Sequence, residues 1–360
     1  MYPKKSLLKS AMVLSASAAL SGCDWVVMKP HGDIAQQQAQ LIVTSTLLML
    51  LIIVPVIALT LFFAFRYRQS NAEATYDPDW DHSTRLELVI WGAPLLIIIA
   101  LGAITWISTH KLDPFRPLDR ISETKPLPAD VKPMDVYAVS MDWKWLFIYP
   151  EQGIATVNEL AAPVDRPIRF RLTSTTVMNT FYVPALAGMI YTMPGMETQL
   201  NAVINNAGVY DGLSAHYSGS GFSGMRFKFH GLSNEDFAAW VEKNKSSGNA
   251  LTRADFLKLE QPSTKDPVQR FASVEPGLWG AIVDRCVDDR KMCVSQMMAI
   301  DAAGGAGKGG LASTMRSPWR DAEGTNRERV VVAALCTPTN LLGVPLDINA
   351  AADTGVAAKN

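Results

Sequence analysis

Gly212-Leu-Ser-Ala-His-Tyr-Ser-Gly-Ser-Gly-Phe-Ser-Gly-Met225 runs out of one β-prone segment, Gly208 to Tyr217, and into another, Met225 to Phe229. Its potential metal donors are His216 and Met225, with Ser214 and Ser218 spaced between and around them. Serine hydroxyls stay protonated at neutral pH and are hard, weak ligands, so this set offers at best a poor mononuclear site. A second run, Thr176-Val-Met-Asn-Thr-Phe-Tyr-Val-Pro184, carries Asn179 at the head of another candidate strand, Asn179 to Val183.

In outline the loop resembles the binuclear-copper loop of cytochrome c oxidase subunit II, which reads Cys-x-Glu-x-Cys-x-x-x-His-x-x-Met. Aligned on Gly212 and Met225, Ser214 and Ser218 stand at the two cysteine positions, His216 at the glutamate and Phe222 at the histidine; Met225 is kept. The other family histidine lies in Asp-Val-x-His-Ser-Phe-x-Val-Pro, and Asn179 stands in its place. Two bridging thiolates are what allow two copper ions to share one electron, and here both are lost. This set of substitutions resembles subunit II of the cytochrome o type ubiquinol oxidases, in the haem-copper oxidase superfamily. Those relatives draw electrons from a lipid-soluble donor, so a centre fed by periplasmic cytochrome c has no task. The resemblance implies a cupredoxin-like Greek-key sandwich without bound metal, in which Met225 persists through packing.

The chain has 360 residues, 48% hydrophobic, with a formal net charge of -1, which excludes a disordered tail protein and a nucleic-acid binder. Residues 1–22 have the parts of an export signal: Lys4, Lys5 and Lys9, an apolar run from Ala11 to Leu20, then Leu20-Ser-Gly-Cys23. A small-residue site ending in cysteine resembles a bacterial lipobox, making Cys23 the lipidated first residue of the mature chain. Asp24 resembles the inner-membrane retention signal. Apolar segments over about Leu41 to Phe65 and Leu86 to Ile107 are each long enough to cross about 30 Å of hydrocarbon. Arg66, Arg68 and Arg85 flank the turn between them and place it in the cytoplasm. Residues 23–110 thus form a transmembrane hairpin with both ends outside.

A Pro-rich and charged connector, 111–133, leads to short β-branched and aromatic runs over 134–231. The expected strands are Val136 to Met141, Leu146 to Tyr149, Ile154 to Leu160, Ile168 to Ser174, Asn179 to Val183, Thr198 to Ile204, Gly208 to Tyr217 and Met225 to Phe229. Ser140-Met-Asp-Trp-Lys-Trp-Leu-Phe-Ile-Tyr-Pro-Glu151 resembles the family's electron-accepting aromatic segment. Without copper beneath it, Trp143 and Trp145 are expected as packing or interface aromatics. Met189, Met193 and Met196 read as core or interface packing. Residues 232–300 form a helical extension: Ser233 caps a helix through Lys243, and Thr252 to Leu259 and Pro276 to Val287 follow. Residues 301–360 are a Gly- and Ala-rich linker with an unassigned tail.

With Cys23 lipidated, Cys286, Cys293 and Cys336 remain for a disulfide in an oxidising compartment. In one unbroken helix Cys286 and Cys293 would sit about 10 Å apart, so that pair requires a break near Asp288-Asp-Arg290; pairing of Cys293 with Cys336 stays open. His31, His82, His110, His216 and His230 all lie outside the expected spans, so this chain offers no haem ligand in the bilayer. The fold class is therefore membrane α plus all-β. The resemblance implies a subunit II without catalytic or cofactor residues, serving a complex that oxidises ubiquinol, reduces dioxygen to water and pumps protons. Haem and copper would lie in partner subunit I, with subunits III and IV also present, in the bacterial inner membrane with the C-terminal domain periplasmic. Two rival readings are a copper-bearing cytochrome c oxidase subunit II and a free-standing, membrane-anchored copper-binding module.

Overall fold

The computed structural model describes residues 25–301 apart from Tyr76 and Pro78, with two short paired segments, Trp319–Arg320 and Asn326–Arg327. The export signal with Cys23, the Gly- and Ala-rich segment from 302 and Cys336 lie outside the described residues. Two long helices come first, α1 (Asp33–Arg66) and α2 (Thr84–Lys111). Both apolar spans fall inside them, and their large side chains are exposed, as lipid-facing side chains are in an isolated chain. With 34 residues α1 outruns the span expected from Leu41, because the polar turn Gln36-Gln37-Gln38 continues the helix beyond the hydrocarbon.

That extra length ties the hairpin to the domain beyond it. Asp33 is buried and bound by Arg120 Nε at 2.9 Å. The Gly32 N–H donates to the Ala185 carbonyl at 3.0 Å, and Asn205 N–H donates to the His31 carbonyl at 2.8 Å. A side chain at Gly32 would meet the Val203 carbonyl oxygen at 2.5 Å, so close backbone approach fixes glycine here.

The connector folds into a small hairpin of β1 (Arg120–Ser122) and β2 (Lys125–Pro126). The sandwich follows with β3 (Met134–Met141), β4 (Lys144–Tyr149), β5 (Ile154–Val157), β6 (Glu159–Pro163) and β7 (Ile168–Ser174). It is completed by β8 (Asn179–Tyr182), β9 (Ile190–Thr192), β10 (Thr198–Ala202), β11 (Gly208–Ser214) and β12 (Arg226–Leu232). The extension supplies α3 (Asn234–Lys245), β13 (Ala250–Leu251), α4 (Arg253–Leu259) and β14 (Gln269–Phe271). It ends with β15 (Ser273–Val274), α5 (Leu278–Val283) and α6 (Val294–Ile300).

One sheet runs β10-β7-β3-β4-β5-β14 and the other β6-β12-β11-β8-β9. The β3–β7 and β6–β12 pairs are parallel amid otherwise antiparallel neighbours, as expected of a Greek key. Three details differ from the sequence reading. The run Ile154 to Leu160 is not one strand: Asn158 takes φ 57°, and β5 and β6 pass to different sheets. Asparagine tolerates that conformation, and its side chain is held by the Trp145 N–H at 2.9 Å and the Asp266 carbonyl at 3.0 Å. The extension is not purely helical, since β14 pairs with β5 and becomes the edge of the sandwich. The third helix is shorter than Pro276 to Val287, because its chain turns at Arg285 with φ 57°.

Trp145 is not an interface aromatic: it is 0% exposed, 5.5 Å from Phe181 and 5.8 Å from Phe227 between ring centroids. Phe147 and Phe227 meet at 5.0 Å and Phe170 and Phe181 at 5.1 Å, so the two sheets close on a block of aromatic rings. Tyr149 completes this layer; its hydroxyl donates to the Ala161 carbonyl at 3.0 Å, and burial pushes its ionisation far up. Val139, Leu146 and Ile148 face the other way, into a second core with Phe256, Leu278 and Ile282 of the extension. Burial on both faces explains why β4 is apolar nearly throughout. Replacing Trp145 by alanine should destabilise the folded chain by about 3–5 kcal/mol, measured as a fall in the urea midpoint of near-UV circular dichroism in detergent.

Candidate functional site

Three residues named from the sequence converge at one end of the sandwich. Asn179 opens β8, Ser214 closes β11, and Met225 immediately precedes β12. The Ser214 hydroxyl donates to Asn179 Oδ1, and the Ser214 N–H donates to the Met225 carbonyl at 3.1 Å. All three are sealed from solvent, at 1%, 3% and 1% exposure for Asn179, Ser214 and Met225. Met225 packs into the aromatic core.

The side chains of the other three positions turn elsewhere, although the His216 carbonyl lies 3.4 Å from the Ser214 hydroxyl. The His216 ring lies 5.9 Å from Tyr191, edge to face, and Phe222 lies 5.7 Å from Tyr217. Ser218 contributes its carbonyl, which accepts from Trp143 Nε1 at 2.9 Å. Its hydroxyl is buried without a hydrogen-bond partner. A binuclear copper centre does not fit these residues: hydroxyls stand where bridging thiolates are needed, and the proton of one of them is committed to Asn179.

The loop instead grips an indole. A side chain at Gly221 would come within 2.4 Å of the Trp143 ring, and one at Gly219, where φ is +115°, within 3.0 Å. Trp143 N–H donates to the Ser263 carbonyl at 3.1 Å, and the fully buried Lys144 donates to the Gln261 carbonyl at 3.0 Å and to Ser263. Trp143 is thus clasped between the loop and the segment after α4. Sequence reasoning missed Gly219, Gly221 and Lys144 as partners; the Gly-x-Gly step in the loop is the signal that could have shown a flat group packed against it. Around this end Val177, Met178, Tyr191 and Tyr217 are exposed, with Met189 and Met196 also exposed nearby in the chain.

Comparison with known proteins settles the family. The family described as "Cytochrome C oxidase subunit II, periplasmic domain" matches residues 150–230, and "COX Aromatic Rich Motif" matches residues 245–290. A Pseudomonas aeruginosa protein named "Cytochrome bo(3) ubiquinol oxidase subunit 2" is 50% identical over 272 residues, covering 76% of this chain and 80% of that one. An Acetobacter aceti "Ubiquinol oxidase subunit 2" is 50% identical over 270 residues, covering 75% and 85%. A Bacillus cereus "Quinol oxidase subunit 2" is 38% identical over 268 residues, covering 73% and 89%. The chain belongs to the ubiquinol oxidase subunit 2 family.

As a member of that family it is a membrane-anchored component of a terminal oxidase, an oxidoreductase complex of the respiratory chain. Its cupredoxin-like sandwich, with helices before and after, is the fold of the matched periplasmic domain. The free-standing copper module is set aside by this membership.

At the end of the aromatic-rich part, Cys286 forms a disulfide with Cys293, just beyond it, with Cα atoms 4.8 Å apart. Asp284 lies beside them, but oxidised sulfurs offer no thiolate to a metal. Phe256, Glu260, Arg285, Lys291 and Met297 line a cavity of about 300 Å³ between α4 and the disulfide loop. Burial pushes the Glu260 carboxyl above the usual carboxylate range, opposed by Lys291 and Arg285.

Two measurements test this geometry. Gly221→Ala should displace the Trp143 ring and destabilise the loop by about 1–3 kcal/mol, seen as faster amide exchange across residues 218–225. For Glu260 the fold prefers the neutral carboxyl, so the native state binds more protons than the unfolded chain. Stability should therefore fall as pH rises from the usual carboxylate range through the raised value, and Glu260→Gln should flatten that slope in urea titrations.

Proposed function

We propose that this subunit carries no redox centre and serves its oxidase by position. It anchors through α1 and α2 beside the haem-copper subunit I and caps that subunit's outer face with the sandwich. The complex takes electrons from ubiquinol inside the bilayer, reduces dioxygen to water on haem and copper held by subunit I, and moves protons. Subunits III and IV complete the assembly. Cys23 is the lipidated first residue of the mature chain, in a bacterial inner membrane, with the sandwich in the periplasm.

The single observation carrying this reading is the Ser214–Asn179 hydrogen bond at the buried end of the sandwich. Where the cytochrome c oxidase pattern has thiolate and imidazole, this chain pairs a hydroxyl with an amide. That bond gives the buried hydroxyl its acceptor, as buried polar groups require. Trp143 is clasped by the loop through Ser218, with no thiolate in that loop to receive an electron. The exposed Val177, Met178, Tyr191 and Tyr217 supply an apolar, amphipathic rim of the composition found at protein interfaces.

Purified from membranes, the chain should elute with haem. With copper added at two equivalents per domain, its electron paramagnetic resonance spectrum should lack a mixed-valence signal; that signal would overturn the reading. A second arm removes residues 134–300: loss of oxidase assembly or turnover is expected, and full turnover by an assembled complex would defeat the capping role.

A further inference from the structure

We propose that the outer mouth of the α1–α2 hairpin holds the phosphodiester headgroup of a membrane phospholipid. The inference rests on the hairpin crossing the membrane as described. Between the two helices lies a cavity of about 250 Å³, with Gln37, Gln40, Thr44, Ser108, Lys111 and Arg120 among its walls. A second cavity of about 170 Å³ adjoins it beneath the sandwich and shares Gln37, Lys111, Leu112 and Arg120. Polar side chains therefore continue from the underside of the sandwich into the head of the bilayer.

The distribution of these groups matches an amphiphile. Gln37 and Thr44 are seven residues apart on α1, about 10 Å along its axis, and the apolar span begins between them, at Leu41. Leu41 and Ile104 also line the cavity, and from there both helices expose large apolar side chains. A headgroup among the amides and cations would thus lead its acyl chains onto lipid-facing helix surface. Hydroxyls of Thr44 and Ser108 lie one to two turns deeper, at the level of glycerol ester oxygens.

Lys111 supplies the contact for an anion. Lys111 is the last residue of α2, exposed, and makes no ion pair among the described residues. Arg120 uses Nε for Asp33, and Glu123 is the one carboxylate lining the inter-helix cavity. The α1 N-terminus and the α2 C-terminus share this mouth, so their terminal fields oppose each other and the side chains decide the sign. With Arg120 held by Asp33, Lys111 is the cation of this cavity left to meet a phosphate oxygen at the membrane boundary.

The test uses the whole oxidase in nanodiscs containing a photoactivatable phosphatidylglycerol, with crosslinks mapped by peptide mass spectrometry. Labelling is expected within residues 37–44 and 104–112. Lys111→Gln should reduce it about fivefold, the worth of one basic residue at such a surface, while Lys111→Arg should keep it. Ser108→Ala provides a second variant should Lys111→Gln fail to assemble, and it should also lower labelling. Inorganic phosphate in excess should leave the label unchanged. Unaltered labelling in Lys111→Gln or, where that variant does not assemble, in Ser108→Ala would overturn the proposal, as would competition by inorganic phosphate, which would indicate a phosphate-only site. Absence of label from the wild-type mouth would also overturn it, showing that a partner subunit fills the space. Haem content of the same samples reports assembly separately, so failure of the lipid site is distinguishable from failure of the proposed role.

Discussion

The two sheets of this subunit are joined by a block of aromatic rings, Trp145, Phe147, Phe170, Phe181 and Phe227, whose centroids lie about as close as rings pack in a protein interior. Gly212 is part of this constraint, because a side chain there would strike the Phe227 ring at 2.2 Å. Strand β11 therefore enters the end loop in a fixed register, with Ser214 paired to Phe181 and its hydroxyl within reach of Asn179. The rings, and not a metal, bring the sheets together. At the end loop the buried Ser214 hydroxyl finds its acceptor in the Asn179 amide.

A second constraint sits at the other boundary of the domain. Asp33 with Arg120, and the close approach at Gly32, lock the first turn of α1 against the sandwich. A buried acid of this kind is costly unless paired, so its partner on the connector is fixed with it. The consequence is positional: the end loop, the apolar rim and the membrane helices keep one relative arrangement. A subunit that contributes shape to its complex depends on that rigidity, and the polar mouth between the helices is shaped by the same contacts.

Much of the architecture was legible because it rests on local patterns. Two long apolar runs, β-branched and aromatic segments and the cap Ser233 declare themselves by period and residue type; Asp236 N–H does bond the Ser233 hydroxyl at 3.0 Å. The candidate site was legible through a resemblance, position by position, at Asn179, Ser214, His216, Ser218, Phe222 and Met225. Long-range pairing was not. The sheet change at Asn158, the edge strand β14 and the clasp on Trp143 each join residues dozens of positions apart, and no short window contains both partners. Trp145 shows the same limit: next to Trp143 in pattern and alike in chemistry, it is buried because it faces between the sheets.

By itself the sequence determined that the chain has two membrane-length helices, a β-sandwich and a loop lacking thiolates, since length, period and ligand chemistry are properties of the residues in order. The tertiary structure decided which of the six positions meet. It placed Asn179 and Ser214 in contact, turned His216 and Phe222 toward tyrosines, and used the Ser218 carbonyl to hold Trp143. It also folded the connector so that its Lys111 and Arg120 meet at a common mouth. The physical reason is that contact depends on register across strands and on the packing of whole elements, and both are set by burial of apolar surface over the entire domain.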